Sequence, residues 1–83
     1  MQLFVPDLAI EVVSQNDKFD PLFTKALRYR RGGTHEVYIL SIATRQVFRY
    51  SEQPTIVLTE SQDFRPEQIP GFSIRISDLL AMM

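Results

Sequence analysis

Apolar residues crowd into short runs separated by polar turns, and their period changes along the chain. Leu8-Ala9-Ile10-Glu11-Val12-Val13 is a continuous β-prone stretch broken by one glutamate. A run without polar alternation suggests a strand covered on both faces, as in the middle of an α/β sheet. Ser14 to Lys18 is polar and turn-like. Asp20-Pro21 then offers an N-cap followed by proline at the first helical position. Leu22, Phe23, Ala26, Leu27 and Arg30 recur at helical spacing, and Tyr29 extends the stripe that Leu22 and Ala26 begin. The helical pattern stops at Gly32-Gly33, where a left-handed backbone costs little.

Two strand-like runs follow, Glu36 to Ile42 and Gln46 to Tyr50, joined around Ala43-Thr44-Arg45 as a hairpin. Thr55 to Thr59 is a third candidate strand, and Ser61 to Pro70 reads as a polar loop. Phe72 to Ile76 alternates as a short edge strand would, with Ser77 placed to cap a last turn of helix through Leu80. The predicted order is therefore β-α-β-β-β with a short C-terminal helix, the edge strand at Phe72 to Ile76 leading into that helix, an α/β (α+β) class fold on a mixed sheet. A strand, a helix and a strand at this spacing make a βαβ unit with parallel strands. The first strand looks central by composition, yet little sequence precedes it to pair with its other side. Its open edge is thus a candidate surface for a homo-oligomer or another partner.

Composition narrows the class without naming a function. The chain has 83 residues, enough for one small domain, and residues 1–83 are read as one domain. It is 45% hydrophobic and 23% charged, which excludes a disordered or collagen-like protein. A net charge of −1 gives no global attraction to nucleic acid, so DNA binding requires a local basic patch. Without cysteine there is no disulfide and no thiolate metal site, and one histidine cannot build a multi-histidine centre. No apolar run approaches a membrane span and no basic segment opens a secretory signal, so a cytoplasmic protein is expected.

Glu11 is the odd residue, a carboxylate inside an apolar strand. Buried there, it has to be protonated, paired or bound to a cation. Lys25 follows 14 positions later in the helix that packs back over the sheet. Two readings of such a pair stay open. One is a structural ion pair. The other is half of a metal-dependent phosphodiesterase site, with the carboxylate holding Mg²⁺ and the ammonium orienting water or stabilising phosphorane charge. Ser14 and Tyr29 are possible accessory residues, against plainer roles in a turn and in the core. Arg28, Arg30 and Arg31 fit C-terminal helix capping and would equally suit phosphate contacts.

Quoted in order, Pro6-Asp7-Leu8-Ala9-Ile10-Glu11-Val12-Val13-Ser14, then Lys25, Tyr29 and Gly32-Gly33, resemble the Uma-type family of putative restriction endonucleases. That family is a branch of the PD-(D/E)XK nuclease superfamily. Glu36-Val37-Tyr38-Ile39-Leu40 looks like its next strand, and Pro70-Gly71-Phe72 to Leu80 like its ending. The resemblance implies that Glu11 is a metal-binding acid and that Lys25 is the superfamily lysine, moved onto the helix, because Val13 stands where that lysine would otherwise be. It also implies a first metal-binding aspartate on a strand upstream of Pro6-Asp7, and only five residues precede Pro6. Asp7 is a poor substitute, since Glu11 lies four residue steps further along the strand, roughly 13 Å away. The expectation is a truncated endonuclease-like domain, corresponding to the C-terminal part of the family. Its ancestral role would be Mg²⁺-dependent DNA cleavage, and it would be inactive alone. The alternative is a non-catalytic assembly or regulatory module that uses the open strand edge.

Overall fold

The computed structural model describes residues 7–13 and 19–83, with side chains in the helix described from Phe23 onward. Its elements run β1 (Leu8–Val13), α1 (Phe19–Arg31), β2 (Glu36–Ser41), β3 (Gln46–Tyr50), β4 (Ile56–Leu58), β5 (Asp63–Phe64), β6 (Ile74–Arg75) and α2 (Ile76–Ala81). The main sheet has four strands in the order β1-β2-β3-β4. β1 and β2 are parallel, with Glu11 beside Ile39, and β2 and β3 form the expected antiparallel hairpin. Arg45 closes that hairpin with a positive φ of 55°, a conformation unusual for a residue with a Cβ.

β2 is the strand buried on both faces. Tyr38 and Leu40 pack into one cluster with Val47, Phe64 and the α2 residues Ile76, Leu79 and Leu80. Val37 and Ile39 face the other side, with Ala9, Val13, Ala26 and Tyr50 beneath α1. Every residue of β2 is buried, which is why a continuous apolar run is needed there.

Five sequence expectations change. β1, apolar enough to be central, is the edge strand among the described residues, and Ile10 and Val12 are exposed on it. Composition reports what a strand can bury, while its place in the sheet is decided by pairing between distant segments. The buried line of α1 is narrower than the stripe suggests, because Ala26 is buried while Phe23 and Leu27 stay exposed. The helix begins at Phe19, so Pro21 lies inside its first turn, where no backbone N–H is required of it. Finally, the C-terminal strand leaves the main sheet and pairs with β5, a two-residue strand inside the expected loop. Ser77 does not cap α2, whose N-cap is Arg75 with no side-chain capping bond. The N–H groups of Ile76 and Ser77 donate instead to the carbonyls of Gln62 and Glu60, so the helix start is satisfied by backbone.

Candidate active site

β1 and α1 converge on one polar cluster. Positions 9, 11 and 13 of β1 share a face by strand alternation, and Ala9 and Val13 there pack beneath α1. Glu11 is thereby aimed at the helix, which presents Lys25 and Tyr29 one turn apart on the facing side. Lys25 Nζ lies 2.9 Å from Glu11 Oε1. The Tyr29 hydroxyl donates a longer bond of 3.4 Å to the same oxygen. The carboxylate is largely covered, with 21% of its side chain exposed, while the lysine remains half exposed. Of the states open to a glutamate in this strand, the structure contains the paired one.

The ammonium's charge is reinforced by its surroundings. Its hydrogen bond to Glu11, followed by the carboxylate's field, raises the Lys25 pKa above the ordinary lysine value. Lys25 is therefore a fixed cation near neutrality, suited to donate to an anionic oxygen and unsuited to act as a base.

The other sequence candidates fall elsewhere. Asp7 precedes β1 and is mostly exposed, 4.0 Å from His35 Nε2. Its carbonyl accepts from the N–H groups of His35 and Glu36, which makes it the residue that leads the chain into β1. Ser14 lies outside the described residues. Among the described residues, Arg30 is the engaged one of the three arginines, and it braces the segment after α1 rather than the helix's own last carbonyls, which accept from the N–H groups of Gly32, Gly33 and Thr34. Its Nη1 donates to the carbonyls of Thr34 at 2.6 Å and His35 at 3.4 Å.

A divalent cation is the group that the family resemblance brings with it. Mg²⁺ is held by one or two carboxylates together with water and substrate phosphates. Here a single carboxylate reaches the cluster, and one of its oxygens is already shared by Lys25 and Tyr29. No group of three acidic, histidine or cysteine side chains able to hold a metal occurs among the described residues. The donor set on the described residues does not by itself fit a cation site.

The sequence reading passed over Glu36. It is 3% exposed, its Oε2 accepts from the Tyr38 hydroxyl at 2.8 Å, and its Oε1 accepts from the Gln68 N–H at 2.9 Å. It lies on the face of β2 opposite the Glu11 cluster and ties the loop after β5 to the sheet. The signal in the sequence is the acid that opens a strand otherwise apolar up to Ser41.

The family model for Uma2, described as putative restriction endonuclease, matches residues 3–78. The chain belongs to the Uma2 family. Its fold is shared with the crystal structure of a putative nuclease belonging to DUF820 from Anabaena variabilis, at a TM-score of 0.85 and 23% sequence identity. That match covers 95% of this chain and 46% of the solved one, so the chain spans about half the length of its structural relative. No curated protein matches the chain. For this Uma2-family member, the restriction-endonuclease resemblance and the mixed-sheet, nuclease-like fold read from the sequence are borne out. No helix among the described residues is long and apolar enough to cross a membrane.

Proposed function

We propose that this chain carries the lysine–glutamate part of a phosphodiester-hydrolysing centre that acts on DNA in the cytoplasm. The observation that carries the reading is the Lys25–Glu11 pair at 2.9 Å, set between helix and sheet in a chain of the restriction-endonuclease family. Lys25 donates to a non-bridging phosphate oxygen as charge builds on it, an interaction stronger in the transition state than in the ground state. Glu11 holds the ammonium in place, and Tyr29 donates to the same carboxylate oxygen one helical turn further on. In this reading the chain alone is a poor enzyme, because efficient metal-assisted hydrolysis needs a second acid from outside the described residues.

Mn²⁺ titration by calorimetry tests this. The native chain is expected to bind weakly, Glu11→Gln not at all, and Lys25→Ala more tightly, because that change removes a charge of the cation's own sign from beside the carboxylate. Equal heats from the native chain and Glu11→Gln would remove Glu11 from the centre. Plasmid nicking that survives Lys25→Ala would remove the lysine.

A second reading has its own observation. The Asp7 carbonyl accepts from the N–H groups of His35 and Glu36, and the Val13 carbonyl from that of Ile42. By alternation, the backbone groups of Leu8, Ile10 and Val12 point to the open side. Ile10 is 46% and Val12 42% exposed on the same strand. An apolar edge of this kind is a template for strand addition, and a second copy pairing β1 with β1 would cover it. Sedimentation velocity should then show a concentration-dependent dimer that Ile10→Lys abolishes. A monomer at every loading concentration would count against assembly.

A further inference from the structure

α1 concentrates positive charge that the chain as a whole does not have. It holds Lys25, Arg28, Arg30 and Arg31 against a single acid, Asp20, in a protein with 9 Lys and Arg and 10 Asp and Glu. Arg30 is occupied by the carbonyls of Thr34 and His35, just beyond the helix end. Arg28 and Arg31 are exposed. Neither has an ion pair or a side-chain hydrogen bond among the described residues.

Their positions form a path. Lys25, Arg28 and Arg31 are three residues apart, so each is stepped about 4.5 Å along the axis and about 60° round it from the one before. The helix is oriented by two contacts: Lys25 reaches Glu11 on β1, and the Phe23 ring meets Tyr50 on β3 at 5.5 Å. The row therefore begins on the β1 flank, at the candidate centre, and climbs away from the buried Ala26 line onto the outer face of the helix. Beyond Glu11, no described acidic side chain is bonded to any member of the row.

We infer that Lys25, Arg28 and Arg31 form a track for a nucleic-acid phosphate backbone, with Arg28 and Arg31 positioning the strand so that one phosphate lies at the Lys25–Glu11 pair. The inference rests on the phosphodiesterase reading above and adds the direction from which the substrate is held. A repeating anion is the ligand that a stepped row of cations matches, two of its three members having no ion pair among the described residues. Phosphate contacts of this type fix register without reading sequence. Arg28 and Arg31 are positioning residues, with no part in bond cleavage.

Fluorescence anisotropy of labelled duplex DNA, without divalent cation and across a salt series, tests the track. Each phosphate contact contributes about 0.9 to the slope of log K against log salt on duplex DNA. Arg28→Gln/Arg31→Gln should therefore lose about 1.8 from the slope and bind at least roughly tenfold more weakly near 50 mM salt. Arg45→Gln, on the hairpin turn, should leave both quantities unchanged, and matched thermal melts establish that each variant is folded. Weakening that is equal for unrelated duplex sequences supports backbone contact. If the native chain binds DNA and the double variant keeps its affinity and slope, the track is wrong while the phosphodiesterase reading stands. If the native chain shows no affinity for duplex DNA near 50 mM salt, the track and the DNA substrate both fall, whatever the Mn²⁺ titration gives.

Discussion

Ile39→Ala should destabilise this chain by about 3–4 kcal/mol, lowering a urea midpoint by roughly 3 M at a slope near 1 kcal/mol/M. Ile39 is fully buried in the middle of β2, between Glu11 on β1 and Phe48 on β3. Its neighbours are Ala9, Val13, Ala26, Val37 and Tyr50, drawn from three strands and the helix. Truncation opens a cavity that α1 and β1 cannot both close, since each is already anchored to β2. A small domain has a stability toward the low end of about 5–15 kcal/mol, so most of the margin would go. Ile39→Val, which removes one methylene, should cost only about 1 kcal/mol. A loss below 1 kcal/mol for the alanine variant would mean that the cluster beneath α1 is loosely packed. The link to function is direct, because this cluster sets the distance between the strand that carries Glu11 and the helix that carries Lys25.

Glu36→Ala is expected to cost about 3 kcal/mol for a different reason. The carboxylate sits almost wholly out of water and accepts from the Tyr38 hydroxyl and the Gln68 N–H. Removing it leaves a buried phenol without its acceptor and frees the loop. Burial first, and then the bond to Glu36, push the Tyr38 pKa far above the usual tyrosine value, so the phenol stays a neutral donor. Hydrogen exchange at the Gln68 amide should accelerate with the loss of stability, and Glu36→Gln, which keeps one good acceptor, should fall between. An alanine variant as stable as the native chain would show that Gln68 and Tyr38 find water instead.

The residues that combine locally were the legible part of the site. Glu11 announces itself as an acid in an apolar run, and Lys25 as a cation on a helix that must return to the sheet. Their distance was not legible, because it depends on how α1 lies across β1 and β2. Glu36 was missed because an acid at the start of a strand reads as solvated unless the loop at Gln68 is known to fold over it. The three arginines looked equivalent in sequence. Only the backbone geometry at Thr34 and His35 shows that one is engaged and two are not.

By itself, the sequence determined the order of the main elements, the parallel β1–α1–β2 unit, the hairpin and the family resemblance. Those follow from hydrophobic period, turn residues and motif spacing, all of which act over a few neighbouring positions. Tertiary structure decided which strand is central, where the C-terminal strand pairs and what Glu11 meets. It did so because burial is settled between segments far apart in the chain. Among the described residues, β2 finds cover on both faces, whereas the equally apolar β1 does not.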